Sequence, residues 1–214
     1  MGSGFALLYA LFGVPVGRLA DRLNRRNLVI AGVALWCAAT AACGAALGFG
    51  QLFAARMFVG LGEAVLMPAA TSLIADSFPP RQRGRAFGLF HIGAVIGSGM
   101  ALGLGGMLFA SVQGGLLGNV PILRDLPAWR NVMLLAALPG IPVCLLLLTV
   151  REPARLGLRG AQKLGALVKA SLAQRGRVAR TCLCVGVVAA GDYGLLSWLP
   201  TVLRGSGGAA ADTA

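Results

Sequence analysis

Two ionisable side chains interrupt an otherwise apolar run, Arg56 and Glu63 within AARMFVGLGEAVLMPAATSLIAD (54–76). Seven positions separate them, so on a helix they share one face, about 10 Å apart along the axis. Burial favours the neutral form of a carboxyl and a nearby cation favours the charged form. A carboxyl held between these influences can take up and release a proton; the bland alternative is an ion pair that only ties helices together. A second acid, Asp192, stands at the centre of the apolar window 181–203, followed by Tyr193 and Gly194, with Pro200 able to kink the far end. Asp76 closes the run that holds Arg56 and Glu63, either as a partner for a basic loop or as a plain helix-end charge. GRLADRLNRR (Gly17–Arg26) places Asp21, Arg22, Arg25 and Arg26 in one short turn. Its carboxylate and guanidinium groups can pair with other helix ends in one conformation and release them in another.

Catalytic chemistry finds no support. Nucleophile–base pairs are absent from the pattern. Cys37, Cys43, Cys144, Cys182 and Cys184 all fall in apolar windows, and the chain has one histidine. No metal cluster can be assembled from such a set at the usual spacing, and no cofactor is expected. His91 reads as a polar residue near a helix end more readily than as a proton carrier.

The elements that must position these residues follow from the solvent. Of 214 residues, 57% are hydrophobic and 12% charged, with mean hydropathy +0.79. Charged residues are absent from 1–17, 27–51, 86–123 and 131–150, and only Glu63 and Asp192 interrupt 57–75 and 181–203. Each window approaches or exceeds the roughly 17–25 apolar residues that cross a hydrocarbon core. The windows predict an all-α, polytopic transmembrane bundle with spans near 3–19, 28–48, 52–75, 86–110, 130–150 and 181–203.

The net charge of +12 does not point to nucleic acid, because its placement follows the loops and no aromatics accompany it. Arg18, Arg22, Arg25 and Arg26, then Arg81, Arg83 and Arg85, then eight Lys or Arg residues in 151–180 occupy alternate loops. The opposite side holds Arg124, Arg130 and Arg204. This asymmetry predicts that the basic loops are cytoplasmic. A multi-pass protein of a bacterial inner or cell membrane is the expected setting, with the lipid bilayer its first partner.

Within the fourth window, Gly93 and Gly97, and Gly99 and Gly103, are four apart. Such spacing predicts close helix packing in lipid. A dinucleotide-binding reading fails for lack of a preceding strand and a following acid. In 151–180, Leu164, Leu167, Val168 and Leu172 repeat at helical spacing beside Lys163 and Lys169. That pattern suits either an amphipathic helix on the basic-side membrane surface or a solvated linker.

GRLADRLNRR resembles the loop signature of the major facilitator superfamily, G-x-L-A-D-R-x-G-R-R, at Gly17, Leu19, Ala20, Asp21, Arg22, Arg25 and Arg26. Asn24 stands where the family usually has glycine, and asparagine is the next residue to accept a left-handed backbone. LFAARMFVGLGEA is similar to the family's fourth-helix signature at Arg56, Gly60 and Gly62. PAATSLIADSFPPRQR, PAWR, TVREPAR and YGLLSWLPTVLRGSGG resemble the spinster-like branch in particular. The antiporter signature is incomplete, since Ser98 stands where its proline would be.

The resemblance implies a partial major-facilitator fold covering helices two to seven of twelve. Residues 1–150 would form an N-terminal bundle lacking its first helix, 151–180 a basic cytoplasmic loop between bundles, and 181–214 the first, truncated helix of the second bundle. The remaining helices are expected from a longer chain. It further implies a secondary transporter, proton-coupled through Glu63 with Arg56, whose solute is a small organic or lysolipid-like molecule moved by alternating access. Asp76 would pair with the 17–26 loop, through Arg25, to close the inner side. A scaffold or receptor that kept the fold without transporting, or an inactive fragment, is the alternative.

Overall fold

The computed structural model of the chain describes residues 2–117, 120–154 and 173–211. Among these, the regular structure is entirely helical. Lipid leaves no other economical way to satisfy backbone N–H and C=O groups along an apolar segment. The helices are α1 (Gly2–Arg22), α2 (Arg25–Ala45), α3 (Phe49–Ala64), α4 (Leu66–Ser77), α5 (Pro80–Gln113), α6 (Pro121–Arg124), α7 (Ala128–Ala137), α8 (Gly140–Thr149) and α9 (Arg175–Ala211). Four stretches of the described residues are long and apolar enough to cross a membrane: Arg25–Ala45, Phe49–Ser77, Pro80–Gln113 and Ala128–Thr149. The first and sixth predicted spans are helical as α1 and α9.

Two of the predicted spans are bent rather than straight. The 52–75 window breaks between α3 and α4 at Val65, whose N–H bonds to Gly62 O at 3.3 Å. Pro68 is the cause. It has no N–H to give the Ala64 carbonyl, and its ring crowds the preceding turn. The 130–150 window breaks between α7 and α8, where Leu138 N bonds to Leu135 O at 3.1 Å and Ile141 N to Leu138 O at 3.0 Å. Pro139 and Pro142 withhold the donors that would carry the ladder through.

The chain divides into two compact units, Met1–Ala161 and Gln162–Ala214. In the first, α2 packs on α3, α4, α7 and α8, and α1 packs on α3 and α4. One core cluster gathers Val16, Ala20, Leu28, Val29, Val33, Val65 and Ala69. A second joins Ala39 and Cys43 of α2 to Ala55 and Val59 of α3. The second unit contains α9, which begins at Arg175, so the last residues of the predicted 151–180 loop are helical. The leucine–lysine repeat at 163–172 lies outside the described residues.

A close helix contact of the bundle lies away from where the sequence pattern pointed. A Cβ on Gly32 would sit 2.9 Å from the Gly62 carbonyl oxygen, and one on Gly62 would sit 2.8 Å from the Gly32 oxygen. Backbone therefore meets backbone where α2 crosses α3. By contrast, nothing among the described residues lies within 4 Å of a Cβ placed on Gly93, Gly97, Gly99 or Gly103. These four glycines lie on the exposed length of α5. The four-residue spacing identifies a helix face that permits close approach; it does not supply the helix that approaches.

Candidate functional site

Arg25 opens α2 with its side chain 1% exposed. An isolated guanidinium at that depth would be costly, and almost every donor it carries is met. Nη1 donates to the Asp76 carboxylate, to Ser72 Oγ at 3.1 Å and to Ser72 O at 3.3 Å. Nε donates to Glu152 Oε1 at 2.7 Å, and Nη2 to Pro153 O at 3.1 Å. Glu152 Oε2 accepts from the Arg26 backbone N–H at 2.9 Å. The Arg26 side chain reaches Val150 O at 3.3 Å and Leu148 O at 3.4 Å, capping the end of α8. One buried arginine thus ties the start of α2 to the end of α4 and to the strap after α8. The carboxylates also sit at the positive end of α2, a further favourable interaction.

Asp76 was singled out by the sequence as a partner for the basic loop, and the fold brings it to Arg25. Glu152 was not singled out, although it lies within the quoted TVREPAR. Its only local signal is an acid beside a proline at the end of an apolar window. Burial by itself would raise the Glu152 carboxyl; the hydrogen bonds from Arg26 N–H and the Arg25 guanidinium outweigh it and hold the group below the usual glutamate range.

The other members of the 17–26 turn play different parts. Gly17 faces α4, where a Cβ would make ordinary contact 3.9 Å from Pro68 Cβ. Asp21 and Arg22 lie exposed at the end of α1. Asn24 is not left-handed: its backbone is extended (φ −61°, ψ 115°), and its side chain accepts from Asn27 N at 2.9 Å as the N-cap of α2. Asparagine serves here for its side-chain acceptor, not for its tolerance of positive φ.

Midway along the bundle the picture changes. Arg56 and Glu63 are both half-buried on α3. The ion pairs among the described residues are those of Arg25, and neither joins Arg56 to Glu63. Arg56 Nη2 instead points to Met133 Sδ on α7 at 3.8 Å. Asp192 lies in α9, and its side chain is outside the described residues. His91 is exposed on α5, edge-on to Phe90 at 5.6 Å between ring centroids. Among the described residues, no group of three or more His, Cys, Asp or Glu side chains is placed to hold a metal ion.

At the opposite end of α2, Arg130 Nη2 donates to Ala46 O at 2.6 Å, capping the helix C-terminus. Its guanidinium lies 5.3 Å above the Trp129 ring. Both ends of α2 are therefore held by arginines, one through carboxylates and one through a carbonyl.

A helical bundle whose arginine clamp joins helix ends on the side of the basic loops defines a class of polytopic membrane protein. Comparison with known proteins makes the class specific. The sequence model of the Major Facilitator Superfamily matches residues 1–213. The chain belongs to that superfamily, and spinster-type proteins are among those it resembles. It is 28% identical over 201 residues to protein spinster of Drosophila melanogaster, covering 91% of this chain and 30% of that one. It is 37% identical over 125 residues to a methylenomycin A resistance protein of Bacillus subtilis, covering 56% of this chain and 26% of that one. The crystal structure of a bacterial homologue of the human lysosomal transporter spinster, inward-facing and occupied, matches with TM-score 0.62 and 35% identity. That match covers 76% of this chain and 38% of the other. The chain thus spans about a third or less of the length of these curated relatives.

Proposed function

We propose that this chain forms part of a proton-coupled secondary transporter that moves a small organic or lysolipid-like solute by alternating access. The observation that carries the reading is the contrast in how two arginines are satisfied. Arg25 has two carboxylate partners, whereas Arg56 and Glu63 share a helix face at mid-depth without pairing. Half-buried ionisable groups at that depth are costly unless they face a polar path, and they mark working positions. In this reading Glu63 takes a proton from the side where protons are abundant and loses its charge. The neutral residue then allows the bundle to close over the site, and the proton is released on the other side. Arg56 favours the release step by stabilising the carboxylate.

The Arg25 clamp is the element that alternates. Joined to Asp76 and Glu152, it closes the basic-loop side; released, it lets α2, α4 and the strap after α8 separate. A relative named for methylenomycin A resistance supports a small organic solute, and the resemblance to spinster-type proteins supports the lysolipid-like alternative. The basic loops are placed on the cytoplasmic side of a bacterial membrane in this proposal, by their charge.

The test is transport. Protein expressed from its natural reading frame is reconstituted in vesicles, and uptake of lysolipids and small organic anions is followed under an imposed pH gradient. Glu63→Gln is expected to abolish the pH-driven component while leaving the protein folded in detergent. Retention of pH-driven uptake by Glu63→Gln would remove the proton role. A wild-type protein that moves neither solute class, yet folds, favours the scaffold reading instead.

A further inference from the structure

A groove of about 710 Å³ runs between α2 and the bent α7–α8 pair, well within the 300–1,000 Å³ typical of ligand sites. It arises from a mismatch of side-chain size. Ala34, Ala38 and Ala41 form one face of α2, and Leu134, Leu138 and Leu145 face them across the bend. Alanines cannot fill what the leucines leave, and the α7–α8 bend keeps the helices from closing. Leu138 and Leu145 are 53% and 60% exposed, so the walls open sideways.

The lining is almost wholly apolar, which excludes ordered water, since a bridging water needs two or more polar partners. In a bilayer the apolar molecule at hand is an acyl chain. The alanine face spans eight residues, about 10 Å of helix, from the middle of α2 toward its C-terminus. The groove runs from Cys144 and Leu145, in the basic-loop half of the bundle, past its middle to Leu123 on the opposite side. Its rim on that side holds Leu123 from the lining, and next to it the exposed Arg124. One turn from Leu134 along α7 stands Arg130, stacked on a Trp129 that is 40% exposed. Asp125 is the acid beside them, which leaves the rim cationic. An amphipathic tryptophan and guanidinium groups at a groove mouth suit a lipid phosphate at headgroup depth.

We infer that this groove holds one acyl chain of a resident bilayer phospholipid, its anionic headgroup set against Arg124 and Arg130. The chain fills the void left by the alanines and wedges the α7–α8 bend. Arg56, Glu63 and the Arg25 clamp do not line this groove, and its occupant is structural lipid of the membrane.

The test is lipid retention. The protein is purified in mild detergent, exchanged against vesicles of equimolar phosphatidylglycerol and phosphatidylcholine, and its bound phospholipid is measured by native mass spectrometry. Wild type is expected to keep phosphatidylglycerol in preference. Ala38→Phe, which fills the groove, is expected to cut retained lipid by about tenfold, since several buried methylenes lose their site. Ala34→Leu, a milder filling, covers the case in which Ala38→Phe fails to fold. Arg124→Gln is expected to keep the amount bound but lose the headgroup preference. Unchanged lipid retention in the folded filling variants overturns the inference. So does a wild-type protein that is dimeric without bound lipid and becomes monomeric when the groove is filled.

Discussion

The two ends of one problem, how to keep an arginine inside a membrane protein, are solved differently at the start of α2 and in the middle of α3. Arg25 is almost fully enclosed and meets two carboxylates, a serine and a backbone carbonyl. Arg56 is half-buried and meets a thioether. Full satisfaction makes a strong tie between helix ends, and partial satisfaction leaves a group with donors still open to other partners. The difference separates a charge closed off by its partners from charges whose partners are incomplete.

The comparison is sharpened most by removing the tie. Arg25→Met leaves Asp76 and Glu152 facing each other in a poorly solvated pocket. It should cost about 3–5 kcal/mol, as breaking a buried pair by one partner does. Thermal unfolding in detergent reads this directly, and Arg56→Met in the same assay should cost far less. Comparable losses from the two variants would erase the distinction drawn between them.

Next in size is Glu152→Gln, which removes charge-assisted hydrogen bonds of a kind worth about 1.5–3 kcal/mol each. Its pH dependence carries the sign. The Glu152 carboxyl is held below its ordinary value in the folded state. Its contribution is therefore complete above the unfolded pKa of about 4.3. It is lost as pH falls from there through the depressed folded value. Wild type should lose stability over that acid range, and Glu152→Gln should show a flatter profile there.

The end of α3 is held against α2 by backbone contact. Gly62→Ala would press a methyl group onto the Gly32 oxygen and onto Trp36. An overpacking cost of about 1–3 kcal/mol is expected. Gly97→Ala on α5, where a Cβ meets open space, should stay within about 0.5 kcal/mol. A similar cost at both positions would mean that α5 has a close neighbour after all.

Smallest in stability is Glu63→Gln, expected to move the unfolding midpoint by no more than about 0.5 kcal/mol, because no ion pair is lost. A large destabilisation would place Glu63 with Arg25, as a tie.

Much of this protein could be read along its chain. Charge-free windows flanked by arginines located the helices, because a bilayer admits apolar segments only with their backbone hydrogen bonds closed internally. The motifs single out Arg25, Asp76, Arg56 and Glu63, and the fold joins the first two. What the chain could not decide was which surfaces meet. Glu152 lies 127 positions from Arg25 and joins it only because α8 ends beside the start of α2. Gly32 and Gly62 carried no short-range spacing signal, yet their carbonyls define the α2–α3 crossing. The spaced glycines of α5 carried a strong one and meet nothing among the described residues. Spacing along a helix says which residues share a face, whereas the partner of that face is set by packing across the bundle.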